Sequence, residues 1–180
     1  MVDPVRELKT RAEILHRGIA SGIPEARRRL RALPELATAD EAAVAAAVPR
    51  MRRKHCLFVV AREHGFNTWE HARRVLGGDE TELDMGTLLY TQAGAINVWF
   101  AVYEEARAHL DEVRGGGASR YLLSYRRQFF VADRFFIEAL GLDPDDADWD
   151  AIDRDWARPR EPGARLRLYE KRIHAMRAGQ

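Results

Sequence analysis

The chain has 180 residues, of which 46% are hydrophobic and 32% charged, with a net charge of +1. That balance excludes a disordered chain, and no apolar run reaches the roughly 20 residues of a membrane-spanning helix. Cys56 is the only cysteine, which excludes an internal disulfide and a cysteine-rich zinc site. The N-terminus lacks the pattern of a secretory signal, so a cytoplasmic location is the default expectation. The small net charge hides an asymmetry. Residues 1–78 carry 15 Lys+Arg against 9 Asp+Glu, and residues 79–180 carry 14 against 19. The basic front can attract the acidic rear or an acidic partner.

In chain order, every element reads as helix. Asp3 and Pro4 form a helix start, and Val5, Leu8, Ala12, Leu15 and Ile19 recur at helical spacing. Pro24 opens a short helix through EARRRLRAL, which Pro34 stops. TADEAAVAAAV is a third helix, interrupted at Pro49, and RMRRKHCLFVVAREH runs on to Gly65. Gly65 suits the left-handed residue that closes a helix, Phe66 folds back, and Asn67 with Glu70 resembles a capping box. The next helix ends at Gly77-Gly78, where the charge sign changes. GGDETELD is therefore the expected boundary between a basic lobe, 1–78, and a helical bundle, 79–180.

The bundle is expected to centre on two long antiparallel helices. The first spans Met85 to Val113 behind Asp84, with Leu89, Ile96, Trp99, Tyr103, Ala106, Leu110 and Val113 as its stripe. Val98, Phe100 and Val102 make it apolar on further sides, as a buried helix would be. The second follows the RGGGAS turn, starts at Ser119 and ends at Gly141. The acidic stretch LDPDDADWDAIDRDWARP reads as a turn and short helix, and EPGARLRLYEKRIHAM as a terminal helix. No stretch alternates convincingly enough to suggest a strand, so the expected class is all-α.

The segment RKHCLFVVAREHGFNTW carries a resemblance. Ala61, Arg62, Gly65, Phe66 and Trp69 match an A-R-x-x-G-F-x-x-W core, and the stretch resembles a short helical module found beside glyoxalase-related and ankyrin-repeat segments of bacterial proteins. The resemblance reaches no further than the first 78 residues, implies a helical hairpin and transfers no catalytic residue.

Candidate chemistry is sparse. Arg27, Arg28, Arg29, Arg31, Arg50, Arg52, Arg53 and Lys54 offer phosphate contacts. The hairpin's second helix begins Thr68-Trp69-Glu70-His71, however, and Glu70 has the wrong sign for a recognition helix, so nucleic-acid binding is a secondary reading. Glu105, His109 and Glu112 share a helix face, but no matching set exists for a di-metal site. The aspartates from Asp143 to Asp155 lack the glycine and distal glutamate of a calcium loop. Cys56 lies in an apolar segment and reads as core. No phosphate- or dinucleotide-binding glycine pattern appears, so neither metal nor cofactor is expected.

The remaining set is Arg120, Tyr121, Tyr125, Arg126, Arg127 and Gln128 on the second long helix, opposite Gln92, Asn97, Glu104 and Glu105 on the first. A polar pocket between those helices would hold a small anionic ligand. Binding or regulation without chemistry is the leading functional expectation. A small helical enzyme using Glu104, Glu105 or His109 for acid–base work competes with it, and self-association stays open.

Overall fold

A computed structural model describes residues 3–92 and 97–178. The chain divides into two compact units: Val5–Arg73, and Arg74–Gln180 with the short piece Met1–Pro4. The division falls inside a helix. No helix among the described residues is long and apolar enough to cross a membrane.

The front unit is helical. Helix α1 (Pro4–Ala20) buries Leu8, Ala12, Leu15 and Ile19 on one face. Helix α2 (Pro24–Arg28) passes into 3-10 turns over Arg29–Ala32 and Pro34–Leu36. The side chain of Asp40 accepts from the Ala43 N–H at 2.8 Å and starts α3 (Glu41–Ala47), as expected of an N-cap aspartate. Helix α4 (Arg53–Glu63) ends at His64, and Gly65 turns the chain at φ 83°. Thr68 accepts from the His71 N–H at 3.1 Å and caps α5 (Trp69–Leu76).

Both histidines of this corner are structural. His64 is buried and sits between the Val60 carbonyl, 2.7 Å from Nδ1, and Arg11, 2.9 Å from Nε2. Nδ1–H therefore donates to the carbonyl and Nε2 accepts from the guanidinium, which requires the neutral ring. His71 accepts from the Asn67 N–H at 3.1 Å and packs edge-on against buried Phe66.

The rear unit corrects the all-α expectation. It contains a three-stranded antiparallel sheet in the order β1-β3-β2. The first predicted long helix is β1 (Val98–Phe100) followed by α6 (Tyr103–Gly115); Ile96 of its stripe lies outside the described residues. The second is a hairpin, β2 (Arg120–Tyr125) and β3 (Gln128–Asp133), followed by α7 (Arg134–Ala139). Tyr125 pairs with Gln128, so only Arg126 and Arg127 form the turn.

The strands escaped notice for two physical reasons. Residues 121–124 are all buried, and so are 130–132, because both faces of the hairpin are covered along its middle. Alternation appears only where one face meets water. The turn also lacks glycine, asparagine and aspartate; Arg126 takes the left-handed conformation, φ 52°, itself. One face of the sheet packs Leu122 and Val131 on Ala106 and Leu110 of α6. On the other, Phe130 meets Trp99, Tyr90 and Phe136.

Helix α8 (Ala147–Ala151) and helix α9 (Pro162–Ala178) complete the unit. Asp148 accepts from Arg167 at 2.5 Å and Lys171 at 2.7 Å, and these cations outweigh burial in holding its pKa below the ordinary range. Gly141 follows α7 at φ 73°, where a Cβ would lie 2.7 Å from that of Ala175.

Two outcomes are expected. Burial, reinforced by the Arg11 charge, holds His64 below the ordinary imidazole range, so its contribution to stability is complete above the unfolded pKa of about 6.5 and is lost as pH falls through the lower folded value. Urea denaturation followed at falling pH should show a loss of up to about 1.4 kcal/mol per pH unit, absent in His64→Gln. Gly141→Ala should lower stability by more than the roughly 1–2 kcal/mol of a left-handed backbone, while Gly78→Ala, at φ 79° with open space around it, costs only that backbone term.

Candidate functional site

The rear unit has a cleft of about 380 Å³ between the segment after α5 and the approach to α9. Val75, Met85, Ala157, Pro159 and Pro162 supply its apolar lining, Asp79, Glu80 and Glu82 its acids, and Arg158 and Arg165 its bases. A volume of this order suits a small molecule.

The local sequence explains how the basic side is placed. After α8, Asp153 and Arg154 both take φ 55°, a strained conformation for residues other than glycine. Arg107 and Arg114 each donate to the Asp153 carboxylate at 2.7 Å and hold the bend. The chain then runs parallel to β2: Leu122 N–H donates to Arg154 O at 2.9 Å and Trp156 N–H to Leu122 O at 3.0 Å.

That turn carries Asp155 into the interior, where it is 1% exposed. Its Oδ1 accepts from the Arg158 N–H at 2.9 Å and its Oδ2 from the Tyr103 hydroxyl at 2.5 Å. Arg107 lies 3.5 Å away. Burial pushes the Asp155 carboxyl above the ordinary range despite these partners, and burial together with Asp155 raises the Tyr103 hydroxyl. Arg158 lies over the Tyr103 ring at 3.8 Å and donates to Glu104 at 3.1 Å.

Arg165 is different. It is only 6% exposed, and among the described residues it has no carboxylate partner. Its Nη1 reaches the carbonyls of Trp156 and Ala157 at 3.3 and 3.4 Å, and its Nε has no partner. The Trp156 indole nitrogen and the Tyr169 hydroxyl are also buried without a hydrogen bond. Trp156 and Tyr169 meet edge-on at 4.9 Å, near each other but outside hydrogen-bond geometry. Burial raises the Tyr169 hydroxyl, opposed by the Arg165 charge. Three orphaned polar groups thus come from residues in one neighbourhood.

The anticipated ligand set is dispersed. Without the two long helices there is no pocket between them. Tyr121 is buried, donates to Pro144 O at 2.7 Å and packs on Trp149. Arg120 stands opposite Asp133 at the far end of the hairpin from its turn. Glu104 and Glu105 are exposed on α6, Glu104 paired with Arg158. Asn97 precedes β1, its Oδ1 buried without a partner. The hairpin end does bring Tyr125, Arg126, Arg127 and Gln128 together. His109 rests against Phe100 at 5.4 Å, and among the described residues no group of three or more His, Cys, Asp or Glu could hold a metal ion. In the basic front, Arg28, Arg29, Arg31 and Arg53 pair with Glu25, Glu63, Glu41 and Glu13. Cys56 is buried, and burial raises its thiol pKa.

Comparison with protein-family models, curated proteins and solved structures found no match. Sequence reasoning placed Asp155 only within the acidic run and passed over Arg165. A lone Asp in an acidic run and a lone Arg on a terminal helix carry no spacing signal; only the fold buries them.

The carboxylate yields a test. Asp155→Asn keeps an acceptor for the Arg158 N–H and an amide against Tyr103, while removing a buried charge. Because the folded pKa is raised, the wild-type chain loses stability as pH rises through that value. Guanidinium titrations should find Asp155→Asn at least as stable as wild type at neutral pH and free of that decline. Asp155→Ala should lose about 1–3 kcal/mol by orphaning Tyr103 and the Arg158 N–H.

Proposed function

We propose that the rear unit is a binding module that takes a small anion, a carboxylate or phosphate group, into the cleft beside Arg165, without chemistry of its own. The observation that carries this reading is the buried Arg165 guanidinium with no carboxylate partner. Taking an arginine out of water is costly unless an anion compensates it, and its flat fork of donors suits a two-oxygen acceptor. Trp156 and Tyr169 supply further unsatisfied polar groups nearby, and Arg158 adds a second guanidinium at the cleft. The acids on the opposite side oppose a highly charged anion. Arg74 neutralises two of them, donating to Asp79 at 2.9 Å and lying 2.9 Å from Glu82.

Acid–base catalysis is disfavoured by the same geometry. Asp155 has the perturbed carboxyl, yet both of its oxygens are engaged and it is sealed from the cleft's solvent. It acts as a latch for the loop that carries Arg158.

The test is thermal melting with inorganic phosphate, acetate and succinate as separate probes. At least one should raise the melting temperature with saturation, by the equivalent of about 2.7 kcal/mol when present at 100 times its dissociation constant. Arg165→Met should abolish the rise while leaving the free protein at least as stable, since it replaces an uncompensated buried charge with a flexible apolar chain. Absence of any saturable rise, or an undiminished rise in the variant, refutes the reading.

A further inference from the structure

Apart from the cleft, the rear unit presents an aromatic surface at the turn end of its hairpin. Trp99 on β1 is stacked on Phe130 at 4.7 Å with the planes 27° apart, yet remains 41% exposed. Tyr90, 37% exposed, lies 6.0 Å from Trp99 and 4.8 Å from Tyr125. Tyr125 and Trp99 are 5.7 Å apart and close a triangle of rings. The register explains the grouping. Trp99 pairs with Phe130 and Phe130 with Leu123, so Tyr125, two residues beyond Leu123, shares that face of the sheet.

The turn beside this triangle is Arg126-Arg127. Both side chains are exposed, and neither forms an ion pair among the described residues. Arg126 lies 5.6 Å from the Tyr125 ring centre. This contrasts with Arg74, Arg107, Arg114, Arg134, Arg154, Arg158 and Arg167 of the same unit, which all pair with carboxylates.

We infer that the Tyr90–Trp99–Tyr125 ring triangle and the Arg126-Arg127 turn form a binding surface for single-stranded nucleic acid. Exposed rings supply faces on which unpaired bases stack, and the adjacent guanidiniums meet the phosphates that join those bases. Stacking tolerates any base, so the surface selects single strands over sequence. Charge complementarity favours this occupant over a second copy of the chain. A two-fold pairing through the same face would gather four unneutralised guanidiniums. The acidic balance of residues 79–180 confines the contact to this corner, so few phosphates take part.

The experiment is fluorescence anisotropy of a labelled ten-nucleotide oligo(dT) titrated with the full chain at low salt, with light scattering to report the protein's mass. Saturable binding is expected, displaced by unlabelled single strand and poorly by duplex. For two phosphates, log affinity should fall with log salt at a slope of about −1.4. Trp99→Leu should weaken binding at least about five-fold through lost stacking. Arg126→Asn with Arg127→Gln should weaken it further and flatten the salt slope, asparagine being suited to the left-handed backbone at 126. Circular dichroism must show each variant folded; the exposed arginine pair keeps the test valid should Trp99→Leu unfold. No binding, binding unchanged in the arginine variant, equal affinity for duplex, or mass doubling that Trp99→Leu abolishes would each overturn the inference.

Discussion

The hydrogen bond between the Tyr103 hydroxyl and the buried Asp155 carboxylate joins two parts of the rear unit that are distant in sequence. Tyr103 starts α6, the helix that covers one sheet face. Asp155 stands on the segment that runs along β2, and through its other oxygen it grips the Arg158 N–H at the rim of the cleft. A carboxylate in that position is costly to bury, and its raised pKa records the cost. Its value lies in geometry. An apolar side chain at 155 would bury more comfortably but could not hold both a hydroxyl and an N–H in fixed directions. Arg107 supports the same bend, reaching Asp153 and Asp155 from one turn of α6.

The strained backbone at Asp153 and Arg154 belongs to this arrangement. Two successive left-handed residues other than glycine are stable only where their surroundings overdetermine them. Here Arg107 and Arg114 clamp the Asp153 carboxylate from α6, and the exchange with Leu122 fixes the next two peptides. Beyond the bend that follows α8, Trp156 enters the core and Ala157 and Arg158 reach the cleft. The position of Arg165 depends on it as well, because its guanidinium is held by the carbonyls of Trp156 and Ala157.

Much of the front unit was legible, since its helices bury one face and leave the other in water. Leu8, Ala12, Leu15 and Ile19 repeat at helical spacing because α1 has a wet side, and Asp40 signals its helix because a cap is local chemistry. The sheet was not legible because the middles of β2 and β3 have no wet side. A run such as Tyr121-Leu122-Leu123-Ser124 fits a buried helix as well as a strand, and an Arg-Arg turn gives no punctuation. Leu122 and Val131 can face α6 only because the chain reverses between them. The candidate site was hidden for a related reason. Asp155 and Arg165 acquire their unusual states from burial, which sequence spacing does not encode, whereas Tyr125, Arg126, Arg127 and Gln128 were found together because a tight turn keeps near neighbours near.

The arginines of the rear unit fall into two populations, those paired with carboxylates and those that are not. Most of its guanidiniums are matched by aspartates of the stretch from Asp143 to Asp155 or by nearby glutamates, which is why that acidic run needs no calcium to explain it. The arginines left without a carboxylate in this acidic unit include Arg165 and Arg172, both held by backbone carbonyls, and Arg126 with Arg127 at the hairpin turn. A surplus of carboxylates beside unpaired arginines means that geometry, not supply, keeps them apart: Arg165 is fixed by backbone carbonyls, and the turn arginines stand at a hairpin end whose neighbours are rings. On the reading proposed above, an anion from outside the chain meets Arg165 in a cleft with apolar lining and Arg126 with Arg127 beside exposed rings.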